Sequence, residues 1–280
     1  MSTMQSKQSA GHWVDALSGE ERPHRLVMQD MAQKQVVLLG ETHDRYDIHR
    51  WQGNICASLL ALRDDLAVGF EMFPRRLQPV LDEWVDGKLD ADTFLERVEW
   101  GKVWGFAADL YWPLFHFCRE FQVKMLALNC RRDLVTRVGR EGWDAIPDAE
   151  RDGLTPARPA SMAHREHLLR LTNGGPPFMQ GKTADAPEFD RFVRAQQTWD
   201  RAFACNIASY LAEKPDALVV GIVGRGHMEY GFGTPDQLDD LGVKQVGILL
   251  TEDMGDAKAA STLENASPIA DAVFNLKPCV

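Results

Sequence analysis

Five short apolar runs punctuate the chain, each closed by glycine or by a polar residue: Val36 to Leu39, Leu66 to Phe70, Val123 to Leu128, Ala217 to Val223 and Val243 to Leu250. Runs without polar alternation read as strands covered on both faces. Between them apolar positions recur at helical spacing, predicting helices over Ile48 to Arg63, Arg75 to Val85, Leu134 to Gly142 and Glu188 to Leu211. This alternation predicts an α/β fold, a mainly parallel sheet of about five strands flanked by helices.

Two regions interrupt it. Residues 90–121 hold no strand signal and read as two helices, an aromatic-rich helical insertion in which eight of the 22 residues from Trp100 to Phe121 are aromatic. Residues 144–187 carry six prolines and one short helix around Ser161 to Leu171. Both are expected to pack over one edge of the sheet. A small, polar stretch over residues 254–267 reads as a loose tail, and all 280 residues as a single domain.

Composition narrows the classes of function. With 31 basic and 41 acidic residues the net charge is −10, so a binder of nucleic acid or anionic membrane, which needs a cationic face, is not expected. No apolar run approaches the roughly 20 residues of a transmembrane span. The cysteines (Cys56, Cys118, Cys130, Cys205, Cys279) are odd in number and widely spaced, which suits thiols in a reducing compartment. The first residues show no apolar export signal, and the expected location is the cytoplasm.

Ligand sites in open parallel sheets lie beyond the carboxyl ends of the strands. There this chain places Gly40-Glu41-Thr42-His43, then Glu71, then Asn129-Cys130-Arg131-Arg132, then Gly224-Arg225-Gly226-His227. Glu41 and His43 lie two apart and point the same way in extended chain, so they can share a proton or a metal. Glu71 ends a buried strand, which favours a raised pKa or a cationic partner. His227 stands in a glycine-flanked turn where backbone can approach a ligand. Singly, each is better read as a helix cap or a satisfied buried group; four on one rim favour a site. Gly224-x-Gly226 fails as a dinucleotide fingerprint because Glu229 replaces the third glycine. His164 and His167 have spacing for a metal, but a solvated helix face is the better reading. The aromatic insertion is either a small core of its own or an apolar wall for a planar ligand.

The strings VVLLGETHDRYDIHRWQ, GFEMFPRRLQPVLDEW, WGFAADLYWPLF, LALNCRRDL, QQTWDRAFACNIA and GIVGRGHMEYGFG, in order from about Gln35 to Gly233, resemble the ChaN family of haem-binding proteins. That family lies in a superfamily with the Tiki metalloproteases and resembles erythromycin esterases. The resemblance implies haem binding linked to iron uptake, an exported lipoprotein, and haem held near a homodimer interface through a tyrosine. Phenolate is a reasonable ligand for ferric haem. Tyr230, beside His227 at the rim, is the first candidate and Tyr46 the second, while Tyr111 belongs to the insertion and Tyr210 to the core of the long helix. His227 lies with them, and Arg131, Arg132 and Arg225 suit haem propionates; otherwise these arginines would pair with Glu41 or Glu71.

The alternative is hydrolysis of a peptide or ester. Glu41, His43, Glu71 and His227 match the superfamily's catalytic centre, and such a cluster binds a divalent metal ion or activates water directly. Neutral histidine is needed in either role, so activity is expected to fall below about pH 6. A scaffold or storage protein that binds neither haem nor metal is the third reading.

Overall fold

The computed structural model describes residues 11–174, 179–253 and 267–276. Its centre is an eight-stranded sheet in the order β2-β1-β8-β7-β3-β6-β4-β5. The five expected strands are β3 (Val36–Glu41), β4 (Leu66–Pro74), β5 (Lys124–Asn129), β6 (Leu218–Gly224) and β7 (Val246–Asp253). They pair in parallel with one another, and β7 pairs in parallel with β8 (Ala272–Leu276). The count of about five is therefore too low. β8 and two antiparallel edge strands, β1 (His12–Asp15) and β2 (Glu21–Arg22), extend the sheet. β1 and β2 are too short for an apolar run to show. The fifth expected strand begins three residues later than predicted, because Val243 is buried in the turn before it.

Continuous apolar runs arise because the sheet has a core on each face. Val37, Leu39, Val68 and Phe70 point to one side, against α1 (His24–Met31), α2 (Tyr46–Leu60), α3 (Gln78–Val85) and α6 (Trp112–Glu120). Val36, Leu38, Ala67 and Leu126 point to the other, against Phe203, Ala204 and Ile207 of α9 (Asp190–Glu213) and Leu238 of α10 (Thr234–Asp240). A third cluster joins α7 (Arg132–Glu141) to α9 through Leu134, Val138 and Ala202.

The region 90–121 is not two helices but three, α4 (Ala91–Arg97), α5 (Trp100–Val103) and α6, with a short turn over Ala108–Leu110. It builds no separate core. Phe94, Trp100, Tyr111 and Phe115 belong to the same cluster as the β-sheet face, with Phe115 packed edge-on against Phe70 at 5.3 Å. The region 144–187 contributes α8 (Met162–Leu171), capped by the Ser161 hydroxyl, which accepts from the His164 N–H. Of the expected loose tail, residues 254–266 lie outside those described.

Between Phe70 and Pro74 the pairing of β4 with β5 shifts register. Such a shift interrupts the two-residue alternation and re-aims side chains, as bulges beside sites often do. Met72 and Phe73 accordingly share one core, and Glu71 comes to the rim.

Trp13 ties β1 into the main core. It is 1% exposed, packs edge-on to Phe274 at 5.1 Å and donates its indole N–H to His24 Nδ1 at 3.0 Å. Trp13→Ala is expected to cost about 3–5 kcal/mol, read as a lower urea midpoint with an unchanged slope.

Candidate functional site

A cavity of about 660 Å³ opens at the carboxyl ends of β3, β4, β5 and β6, within the size range of small-molecule and cofactor pockets. His43, Glu71 and His227 line it, Asn129 to Asp133 form a second wall, and residues 102–106 a third. Three of the four expected rim residues thus meet at one cavity. The fourth, Glu41, sits directly behind His43.

Glu41 is 2% exposed and draws donors from three elements. His43 Nδ1–H donates to its Oε1 at 2.8 Å, and the Tyr111 hydroxyl donates to the same oxygen at 2.9 Å. Gln52 Nε2 donates to Oε2 at 3.3 Å, and His49 Nδ1 lies 3.4 Å from that oxygen. Trp104 Nε1–H donates to the Tyr111 oxygen at 3.1 Å, so a hydrogen-bonded chain runs from the cavity wall to the buried carboxyl and back to His43. Burial, then the Glu41 charge, holds the Tyr111 phenol far above its ordinary pKa, so it serves as a donor. With Nδ1 committed to Glu41, His43 Nε2 has no hydrogen-bond partner among the described residues, and its ring packs against Trp104 and Phe106 at 4.8 and 5.1 Å, two rings themselves in contact at 5.6 Å.

His227 repeats the arrangement. Its Nδ1–H donates at 2.8 Å to Oδ1 of Asp200, a carboxylate 1% exposed on α9 that also accepts from the Thr234 hydroxyl at 3.2 Å. Burial alone would depress the His227 pKa; the charge and hydrogen bond of Asp200, helped by Glu71, carry it up to about 9. His43 is also raised, the Glu41 hydrogen bond and the Glu71 charge outweighing burial. The expected acid limit near pH 6 therefore moves upward, because both histidines hold their protons beyond the ordinary imidazole range. Burial pushes the Glu71 carboxyl up, with His227 and His43 pulling against it.

Glu71 also accepts the Gly224 N–H. Gly224 is there for close approach: a Cβ on it would lie 3.0 Å from His43 Cε1 and 3.4 Å from Glu71 Oε2. Gly233 serves the second dyad, where a Cβ would meet the His227 carbonyl at 2.6 Å and Asp200 at 2.9 Å.

Arg131 and Arg132 line the cavity; Arg131 pairs with Asp133, and Arg132 has no ion pair among the described residues. Arg225 lies elsewhere, bound to Glu229 and Glu252. None of the three pairs with Glu41 or Glu71. Neither Tyr230 nor Tyr46 lines the cavity. Tyr230, in a left-handed backbone conformation, packs edge-on to His167 at 5.2 Å, and Tyr46 is half exposed with Arg50 over its ring. Tyr210 is only partly buried, against the second core. His164 and His167 are buried rather than solvated, His164 stacked on Phe232 at 5.2 Å. Among the described residues no three His, Cys, Asp or Glu side chains are placed to hold a metal ion.

Sequence reasoning missed Asp200, His49, Gln52 and the bonding role of Tyr111. A signal existed. Asp200 falls on the stripe with Phe203, Ala204, Ile207 and Leu211, and His49 and Gln52 on that with Ile48, Ile55 and Leu59. A polar side chain on a buried stripe must have a partner.

A family described as haem-binding uptake proteins, ChaN, of the Tiki superfamily matches residues 27–238. The fold is similar to a structure of ChaN from Campylobacter jejuni described as showing cofacial haem binding, at TM-score 0.66 and 16% identity, covering 95% of this chain and 96% of that one. It is also similar to an erythromycin esterase mutant, EreC, in its open conformation, at TM-score 0.50 and 13% identity over 87% of this chain and 77% of that one. Among curated sequences, the Arabidopsis thaliana chloroplastic protein RETICULATA-RELATED 5 is 23% identical over 223 residues, 76% of this chain. The chain spans 30% of that protein's length.

The His227–Asp200 pair makes stability depend on pH. A histidine whose pKa is raised on folding stabilises fully below its unfolded value of about 6.5 and loses that contribution as pH climbs through its folded value, here about 9. Urea midpoints of the wild type should therefore decline between about pH 6.5 and 9. Asp200→Asn should lower stability by about 3 kcal/mol at pH 6 and flatten the decline.

Proposed function

From the membership of this chain in the ChaN family of the Tiki superfamily, we propose that its strand-end cavity takes haem and that the protein serves haem uptake or iron handling. The observation that carries this reading is the cavity's mixed lining. Trp104, Phe106, Val103 and Trp199 offer apolar surface to a porphyrin, and Arg131 and Arg132 line the same cavity and suit propionates. His43 and His227 offer imidazole nitrogens, a donor type that haem iron accepts. Two copies joined at the cavity mouth, where Phe106 is 36% exposed, would enclose the ligand. The tyrosine ligand implied by the family resemblance would have to reach the cavity from outside its present lining.

A second reading is favoured by the two carboxylate-backed histidines beside one buried carboxyl. This arrangement suits water activation in hydrolysis of an ester or peptide, with His43 or His227 as base and Glu71 as proton donor. His227 would be charged at neutral pH, so activity with it as base would rise toward about pH 9, where it loses its proton.

Titration of the purified protein with ferric haem should develop a Soret band that saturates. Arg131→Ala with Arg132→Ala should weaken binding by about 1.5–3 kcal/mol for each charge-assisted bond lost. Light scattering should show a dimer in the presence of haem. An unchanged absorbance spectrum at any haem concentration refutes the reading. Turnover of an ester or peptide by the wild type, lost in His43→Ala, would put the hydrolytic reading in its place.

A further inference from the structure

We propose that the groove between α7 and α9 is a binding site for the diphosphate group of a small-molecule ligand, gripped by Arg132 and Arg191. The groove, of about 180 Å³, is lined on α7 by Arg132, Thr136 and Gly139 and on α9 by Arg191, Ala195 and Trp199. Residues three and four apart share a helix face, so each set is one stripe and the two stripes face each other. Gly139 lets them meet: a Cβ on it would lie 3.1 Å from the Arg191 carbonyl oxygen and 3.6 Å from the Ala195 Cβ. Arg132 and Trp199 line the strand-end cavity as well, so the groove opens from it. Gly139, seven residues along α7 from Arg132, lies against Arg191. The two arginines therefore stand toward opposite ends of a groove about 10 Å long, from the rise of seven helical residues.

Neither guanidinium has an ion pair among the described residues, and the carboxylates beside them in sequence are spent elsewhere. Asp133 pairs with Arg131 at 3.5 Å, and Asp190 with Arg165 at 2.8 Å. Among the described residues no carboxylate lines the groove. The chain as a whole carries a charge of −10 and repels anions, so a groove with two cations and no acid reverses the field locally. A guanidinium presents a planar fork of donors that matches phosphate oxygens. A single carboxylate meets one such fork, whereas a diphosphate is charged along its length and meets both. Trp199, shared by groove and cavity, marks where the organic part of the ligand would pass inward. The inference goes beyond the haem reading, which makes no use of Arg191.

The test is calorimetric titration of the full chain, without haem, with inorganic pyrophosphate at constant ionic strength. The wild type should bind it saturably and about tenfold more tightly than inorganic phosphate, which meets fewer of the donors. Arg191→Ala should weaken pyrophosphate binding about tenfold, and Arg191→Lys should recover only part of the loss because the fork is gone. Arg191 is exposed and without an ion pair among the described residues, so its alanine variant should keep the wild-type urea midpoint. Arg140→Ala, on α7 but outside the groove, should bind as the wild type does. Absence of saturable binding by the wild type overturns the proposal. So does unchanged binding in Arg191→Ala, or a loss in Arg140→Ala as large as that in Arg191→Ala, which would mark general charge attraction. Tighter binding of glutarate than of pyrophosphate overturns the assignment to phosphate. The haem titration is a separate measurement, so either reading can fail without the other.

Discussion

A carboxyl group buried at the end of the central strand sets the terms for the rest of the site. Left unpaired, Glu41 would cost several kcal/mol, since an ionised group removed from water must find donors or take up a proton. The fold supplies them from three directions: His43 from the strand end, Gln52 from α2, and Tyr111 from the aromatic region. The aromatic region is therefore more than a wall. Tyr111 is 0% exposed, and its ring lies 4.4 Å from His49 and 5.6 Å from Trp100, so the packing of these rings places one hydroxyl on one carboxylate. Placement of His43 is a consequence of that packing.

The second histidine obeys the same rule by another route. Asp200 comes from a helix on the opposite face of the sheet, and His227 joins His43 and Glu71 in lining one cavity beyond the strands. β3 is also where the chain changes direction across the sheet, with β6 and β4 on one side and β7 on the other. A crevice at that point is what the topology of an open parallel sheet provides. Glycine at position 224 is what allows His43 and Glu71 to use it, as Gly233 does for His227 and Asp200.

These constraints explain what the sequence made legible. The parallel strands announced themselves because both their faces are buried, as with Val36 to Leu39. The rim residues followed from strand ends alone. Edge strands such as Trp13-Val14 did not show, because two apolar residues carry no period and their burial comes from Phe274, over 250 positions away. The supporting layer was harder for a related reason. Asp200, Gln52 and Tyr111 act through hydrogen bonds between distant segments, and only their presence on otherwise apolar stripes hints at it. Tyr230 shows the opposite failure. Nearness to His227 in sequence put it at the rim, whereas the left-handed backbone at Tyr230 itself turns its ring toward His167.

Whether such a rim binds iron or activates water is a question of which form of each histidine persists near neutral pH. A general base must be free of its proton when substrate arrives, and the Asp200 carboxylate that orients His227 also keeps it protonated up to about 9. A metal competes with the same proton, but it supplies coordination energy to displace it, and affinity then becomes pH-dependent rather than absent. Strong carboxylate backing is thus a handicap for a base at pH 7 and an advantage for a ligand, because the proton donated through Nδ1 strengthens donation from Nε2. His43 has that backing, more exposure than His227 and two aromatic rings beside it. Backing of this kind would suit the proposed holding of a cationic, planar group better than base catalysis at neutral pH.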